Sequence, residues 1–260
     1  MSTMTRVAAW QCRPGPLDVA GNLARLDEVC ARAAAREVQA LVTPEMFTSG
    51  YGLAPDQVLS LAEEAGGPTD EAVAQIAKRH GLAIVYGHPE VAPGGGAYNA
   101  ATLVGPDGVV RGRHRKVQLF GDVDRLLFAA NPERPAAFDV DDDRIGVLIC
   151  YDVEFPETVR DLAVGGARVV LVPTANMSPF DHVQQVLVRA RACENGVGLV
   201  YANYCGADAL FDYNGLSVIC GPDGEVLAQA GHEGEELVIA DLPGPSAGTY
   251  LADRRADLYG

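Results

Sequence analysis

ETVRDLAVGGARVVLV, residues 157–172, decides how this chain folds. Glu157 to Val164 reads as a helix, Gly165-Gly166 end it, and Val169 to Val172 follow as a short apolar strand. The same succession occurs three more times. Asn22 to Arg36 carries Leu23, Leu26, Val29, Cys30 and Ala33 at helical spacing and leads into Ala40 to Val42. Asp70 to His80 closes on Gly81, where a left-handed cap costs least, before Leu82 to Tyr86. Phe180 to Asn195 closes on Gly196 and feeds Gly198 to Tyr201. Such alternation builds an α/β layer architecture whose strands are buried on both faces.

Hairpins lie between these units. Ala100 to Val104 runs into Gly105-Pro106-Asp107-Gly108 and then Val109-Val110, a tight reversal forced by Pro and Asp-Gly. The phrase returns 116 residues later as Ser217 to Cys220, Gly221-Pro222-Asp223-Gly224 and Glu225 to Leu227. Tyr86 and Tyr201, and Asn99 and Asn214, repeat at an offset of 115. The chain therefore reads as two related halves, with two sheets face to face and helices outside. With no linker or charge run between the halves, residues 1–260 are expected to form one domain. The strand order within the sheets is open at this point.

Twenty Lys and Arg against 35 Asp and Glu leave a net charge of −15, which repels polyanions and excludes a nucleic-acid partner. The first residues, MSTMTRVAAWQCRPG, carry no apolar stretch of about 7–15 residues behind a basic start. No apolar run approaches the ~18 residues of a membrane helix; the best, Ile145 to Tyr151, is strand-sized. Six scattered cysteines without a CxxC pair complete the expectation of a cytoplasmic protein with reduced thiols and no membrane partner. The five histidines never fall at helical ligand spacing and no HExxH occurs, so no metal or other cofactor is expected.

Function in open α/β sheets collects at the carboxyl ends of strands. LVTPEMF places Glu45 after a buried strand, IGVLICYD places Cys150 at the end of the most hydrophobic one, and RHRKVQLF carries Lys116. Singly, Cys150 suits a core, Glu45 a helix N-terminus and Lys116 a solvated face. Together they meet one chemical need. A thiol is only a few per cent ionised at neutral pH and requires a base or a positive neighbour. His114, two residues before Lys116, is the one histidine in these segments; Glu45, its pKa raised by burial, is the other candidate base. The Lys116 ammonium would meet the oxyanion formed when sulfur attacks a carbonyl.

These segments resemble the nitrilase (carbon–nitrogen hydrolase) superfamily, which carries a Glu–Lys–Cys triad in three separated motifs. LVTPEMFTSGY, GRHRKVQLFG and GVLICYDVEFPE stand in order at gaps of 71 and 34 residues between the three functional positions, followed by VLVPTANM and RARACENG. The resemblance covers the whole chain. It implies a four-layer αββα sandwich, homo-oligomers built by joining sandwiches, and a triad of Glu45, Lys116 and Cys150, with the backbone N–H of Tyr151 beside Lys116 at the oxyanion. Many members place a second glutamate shortly after the lysine; here Asp124 is the supporting residue, with Asp122 the other choice.

VYGHPE, CYDVEFPE, LVPTANM and VYANYCGA narrow the likeness to amidases of small ω-amino amides such as 5-aminopentanamide, and also to stereoselective amidases. A substrate ammonium would lie roughly 5–7 Å beyond the carbonyl. Glu154, Asn176 and Asp181 are the expected substrate-binding residues, with Asp208 and Asp212 as further candidate carboxylates. A nitrilase or N-carbamoyl-amine hydrolase would use the same triad, and a binding module that kept the fold would use none of it. Pro93-Gly94-Gly95-Gly96 raises a nucleotide-binding loop, but no GxGxxG or GxxxxGK[ST] follows a strand.

Overall fold

Alternate side chains along each central strand enter different layers. Val169 and Leu171 face Val42 and Val85 across the space between two sheets, whereas Val170 and Val172 pack outward against Val159, Leu162 and Val188. A strand whose neighbours cover both faces needs apolar residues at every position, which explains the unbroken runs in the sequence. The computed structural model describes residues 5–244 and 249–259.

One six-stranded sheet comprises β1 (Arg6–Gln11), β2 (Ala40–Val42), β3 (Ala83–Ala92), β4 (Gly96–Val104), β5 (Val110–Arg115) and β14 (Glu236–Asp241), in the order β14-β1-β2-β3-β4-β5. The other comprises β6 (Ala137–Val140), β7 (Asp143–Val147), β8 (Val169–Pro173), β9 (Gly198–Ala202), β12 (Val218–Cys220) and β13 (Val226–Gln229), in the order β13-β12-β9-β8-β7-β6. A short ribbon pairs β10 (Cys205–Ala207) with β11 (Asp212–Asn214). The two large sheets repeat one pattern: three parallel strands, two antiparallel strands on one side and one on the other. The duplication read from the GPDG turns is thus a duplication of topology. In both turns the aspartate accepts from the N–H two residues on at 3.0 Å, and Gly108 and Gly224 share a φ of 81°.

Helices α1 (Val19–Ala34) and α3 (Pro68–His80) cover the first sheet; α5 (Pro156–Val164) and α6 (Val188–Asn195) cover the second. Two short helices, α2 (Pro55–Leu61) and α4 (Gly121–Leu127), belong to the first half's loops. Asp18 caps α1 by accepting from Gly21 N–H, and α3 and α6 end on left-handed Gly81 and Gly196. The protein is a four-layer αββα sandwich with pseudo-two-fold halves. The last of these helices departs from its expected form. The helix expected from Phe180 begins at Val183 with a π-helical turn to Leu187, which carries the Gln184 amide inward between Asn176 and Asn214.

Candidate active site

Glu45 follows β2, and its main chain is tied to both sheets. Thr43 N–H donates to Val85 O of the first, and Glu45 N–H donates to Thr174 O just past β8 of the second. The side chain is fully buried. Its Oε1 accepts from Lys116 Nζ and from Asn99 Nδ2, each at 2.6 Å, while Oε2 is buried with no hydrogen-bond partner among the described residues. Lys116 is the first residue beyond β5, held there by its N–H on Asn99 O at 2.8 Å. Its ammonium also lies 2.7 Å from Asp124 Oδ2. Asp124, on α4, accepts from Tyr51 OH and Phe120 N–H, each at 2.8 Å. A buried ammonium is thus clasped by two carboxylates that are themselves hydrogen-bonded, the arrangement buried charge requires.

Burial raises the Glu45 carboxyl above its ordinary 4.5, opposed by the Lys116 charge and reinforced by Asp124. For Lys116, burial disfavours the ammonium, but Glu45 and Asp124 outweigh it and hold the pKa well above 10.5. The thiol of Cys150 is pushed up by burial first and by the Glu45 charge second, with Lys116 acting in the opposite sense. The three groups feel one another's charge, and a free carboxylate oxygen is the proton acceptor such a thiol needs.

Cys150 is not the last residue of a strand, as IGVLICYD suggested. β7 ends at Val147, and Cys150 opens a 3₁₀ turn, Cys150–Glu154, with φ +46°. Such a φ is costly for a residue with a Cβ and persists only where its surroundings hold it. Asp152 supplies part of that hold by accepting from Ile149 N–H at 3.1 Å. Tyr151 N–H sits in the first turn, where backbone donors lack partners within the helix. His114 does not serve the thiol: its Nε2 lies 2.8 Å from Asp152 Oδ2.

A cavity of about 200 Å³ opens at Cys150, lined by Tyr51, Phe120, Tyr151, Glu154, Asn176 and Phe180 among others. Phe120 and Phe155 stand edge-on to Tyr151 and fix that aromatic wall. Burial raises the Glu154 carboxyl, with His182, Lys116 and Arg191 opposing. Asn176 donates both amide hydrogens, to Phe180 O and Gln184 Oε1, which leaves its carbonyl oxygen as the group it can offer a ligand. Of the expected substrate-binding residues, the cavity gathers Glu154 and Asn176 but not Asp181, which instead accepts from Asn214 Nδ2 and faces His232. Asp208 is likewise engaged elsewhere, accepting from Gly52, Leu210 and Phe211 N–H and from Tyr213 OH, and Asp212 is exposed on β11. Three residues the sequence did not single out stand in the site: Asn99, Tyr51 and Asp152. Tyr51 and Asp152 stand inside the motifs that carry Glu45 and Cys150, and Asn99 repeats at Asn214, but none of these signals assigns a role. Pro93 to Gly95 joins two antiparallel strands as a plain loop, and Gly96 opens β4. Among the described residues, no group of three His, Cys, Asp or Glu side chains could hold a metal ion, and no helix is long and apolar enough to cross a membrane.

Similarity to known proteins agrees with this geometry. A sequence model described as carbon-nitrogen hydrolase matches residues 6–250. The chain is 46% identical to a protein of Pseudomonas protegens described as a hydrolase in the pqqF 5′ region, over 98% of this chain and 90% of the relative. It is 36% identical to an (R)-stereoselective amidase of a Pseudomonas species, over 94% and 89% respectively. A solved variant of the amidase from Nesterenkonia sp. AN1, with acrylamide added at its active-site cysteine, superposes with a TM-score of 0.88 at 37% identity, covering 98% of each chain.

Proposed function

The chain belongs to the carbon-nitrogen hydrolase family, and we propose that it is a cysteine-dependent amidase of small linear ω-amino amides such as 5-aminopentanamide, releasing carboxylic acid and ammonia. Residues 1–260 would act as one hydrolase domain in the cytoplasm, on a reduced thiol and without a cofactor. The observation that carries the reading is the buried Oε2 of Glu45, which has no hydrogen-bond partner among the described residues. A carboxylate whose other oxygen is held by Lys116 and Asn99 is oriented, desolvated and free to take one proton.

In this reading Glu45 accepts the Cys150 proton and sulfur attacks the amide carbonyl. The oxyanion is held by the Lys116 ammonium and the Tyr151 N–H. The C–N bond breaks as Glu45 returns the proton to nitrogen, ammonia leaves, and a thioester remains. Water, deprotonated by the same Glu45, attacks the thioester; the acid departs and the thiol is restored. A pKa raised toward neutrality suits one carboxylate that serves as base, acid and base again.

Two features favour an ammonium at the far end of the substrate. Glu154 brings an acidic side chain to the Cys150 cavity, and Asn176 offers a carbonyl oxygen with both its hydrogens committed elsewhere. The same Glu154 would repel a carboxylate-ended amide. The relatives' amidase names support the reaction class, and acrylamide addition at the Nesterenkonia cysteine supports the role of Cys150. The resemblance also carries a homo-oligomer, a dimer or larger. Val164 of α5 and Val186 in the turn before α6 are more than half exposed on the outer helical layer and suit that contact. Light scattering at micromolar concentration should give a multiple of 27.4 kDa.

The test is ammonia release from 5-aminopentanamide, pentanamide, a matched nitrile and a carbamoyl amine. Cys150→Ala should fall to background. Glu154→Gln should raise KM for the amino amide about tenfold while leaving pentanamide within about twofold, the pattern of a lost binding contact. Equal use of both amides by the unaltered protein would remove the ω-amino assignment, and turnover of the nitrile or carbamoyl compound alone would remove the amidase.

A further inference from the structure

Asp152 is fully buried, and its carboxylate is saturated. Oδ1 accepts from Val117 N–H at 3.2 Å and Gln118 N–H at 2.8 Å. Oδ2 accepts from Ile149 N–H at 3.1 Å and lies 2.8 Å from His114 Nε2. An ionised carboxylate only accepts, so the hydrogen of that contact sits on Nε2. A residue that merely capped the 3₁₀ turn would need the Ile149 bond alone. The other three reach 34–38 residues back, to positions on both sides of Lys116. His114 lies in β5 of the first sheet and Val117 and Gln118 follow it, whereas Cys150 follows β7 of the second.

We propose that Asp152 is a positioning residue: its carboxylate ties the Lys116 segment to the Cys150 turn and thereby sets how the ammonium and the sulfur approach one substrate carbonyl. Side chains buried between two sheets can slide with the sheets; a carboxylate that accepts from both sides fixes the offset. His114 serves the same link, donating to Asp152 from the strand that delivers Lys116. The inference rests on the reading of Glu45, Lys116 and Cys150 as the reacting set.

Full-length protein and the variants Asp152→Asn, His114→Ala and His114→Gln are compared for kcat and KM on 5-aminopentanamide. Intact mass gives the rate at which iodoacetamide alkylates Cys150, and thermal melting reports folding. Asp152→Asn turns an amide N–H toward backbone N–H groups and should lower kcat about 10²-fold, the cost of a displacement near 1 Å. KM should stay within about threefold, since the cavity wall is untouched, and alkylation should slow in parallel. His114→Ala should give a smaller loss of the same kind, and His114→Gln, which keeps a side-chain N–H, should recover most of it. A folded Asp152→Asn protein with unaltered kcat and alkylation rate overturns the proposal. If that variant does not fold, His114→Ala decides: rates equal to those of the unaltered protein overturn it. If no amide is turned over by the unaltered protein, the substrate reading fails, yet the alkylation rates still judge Asp152.

Discussion

Lys116 gives the site its charge balance, and removing it exposes how much the neighbours depend on it. Lys116→Met leaves Glu45 and Asp124 buried without a counter-ion. Breaking a buried pair of this kind costs about 3–5 kcal/mol, which urea denaturation should record, and ammonia release should fall to background. The titration of Glu45 gives a second test. Its carboxyl is raised above 4.5, chiefly by burial, and only the ionised form can take the thiol proton. Activity should therefore rise with pH through an acid limb of kcat/KM lying above 4.5; a limb at or below that value would contradict the role. Glu45, Lys116 and Cys150 stand out in the sequence only as a set, through three ordered motifs that resemble one family, since each alone suits a bland place in the fold. Asn99, Tyr51 and Asp152 do not, since their value lies in what tertiary packing brings within reach. Asp181 misled for the same reason: a charge in a loop does not say which way the loop turns.

Two elements hold the reacting groups by backbone contact, and each is sensitive to a single carbon. Gly87, in β3, lies against the turn that carries Glu45: a Cβ there would fall 2.3 Å from Met46 N and 2.9 Å from Glu45 C. Backbone cannot yield as a flexible side chain can. Gly87→Ala should cost about 1–3 kcal/mol in stability by overpacking. By displacing Glu45 it should lower kcat by up to about 10²-fold, with stopped-assay kinetics and a melting curve as the checks. A positive φ at a residue other than glycine has no composition signal, so the sequence through Cys150 reads as strand where the chain turns. The apolar run IGVLI continues past the last paired residue, and only the three-dimensional path reveals the departure. The GPDG turns were legible because Pro and Gly restrict the backbone wherever they occur.

Across the whole molecule, the space between the sheets is filled from both halves. Leu171 is fully buried there, and Leu171→Ala should cost about 2–5 kcal/mol by urea denaturation, with a loss below 1 kcal/mol arguing against a tight inter-sheet core. The repeated turn phrases and the four helix–strand units foretold two sheets. Strand order stayed hidden, because an edge strand such as β14 reads alike whichever sheet receives it. It returns from the C-terminal half to pair with β1, antiparallel from Arg6↔Asp241 to Gln11↔Glu236. That crossing has a consequence for a severed chain. A cut between Glu133 and Arg134, both exposed, leaves the acid and the amine on one fragment and the sulfur on the other. The second fragment also carries off the border strand of its counterpart's sheet. Each piece alone should be inert and prone to aggregate along its bare edge, while the two mixed during refolding should recover ammonia release, as a broken clasp works again once its halves are rejoined.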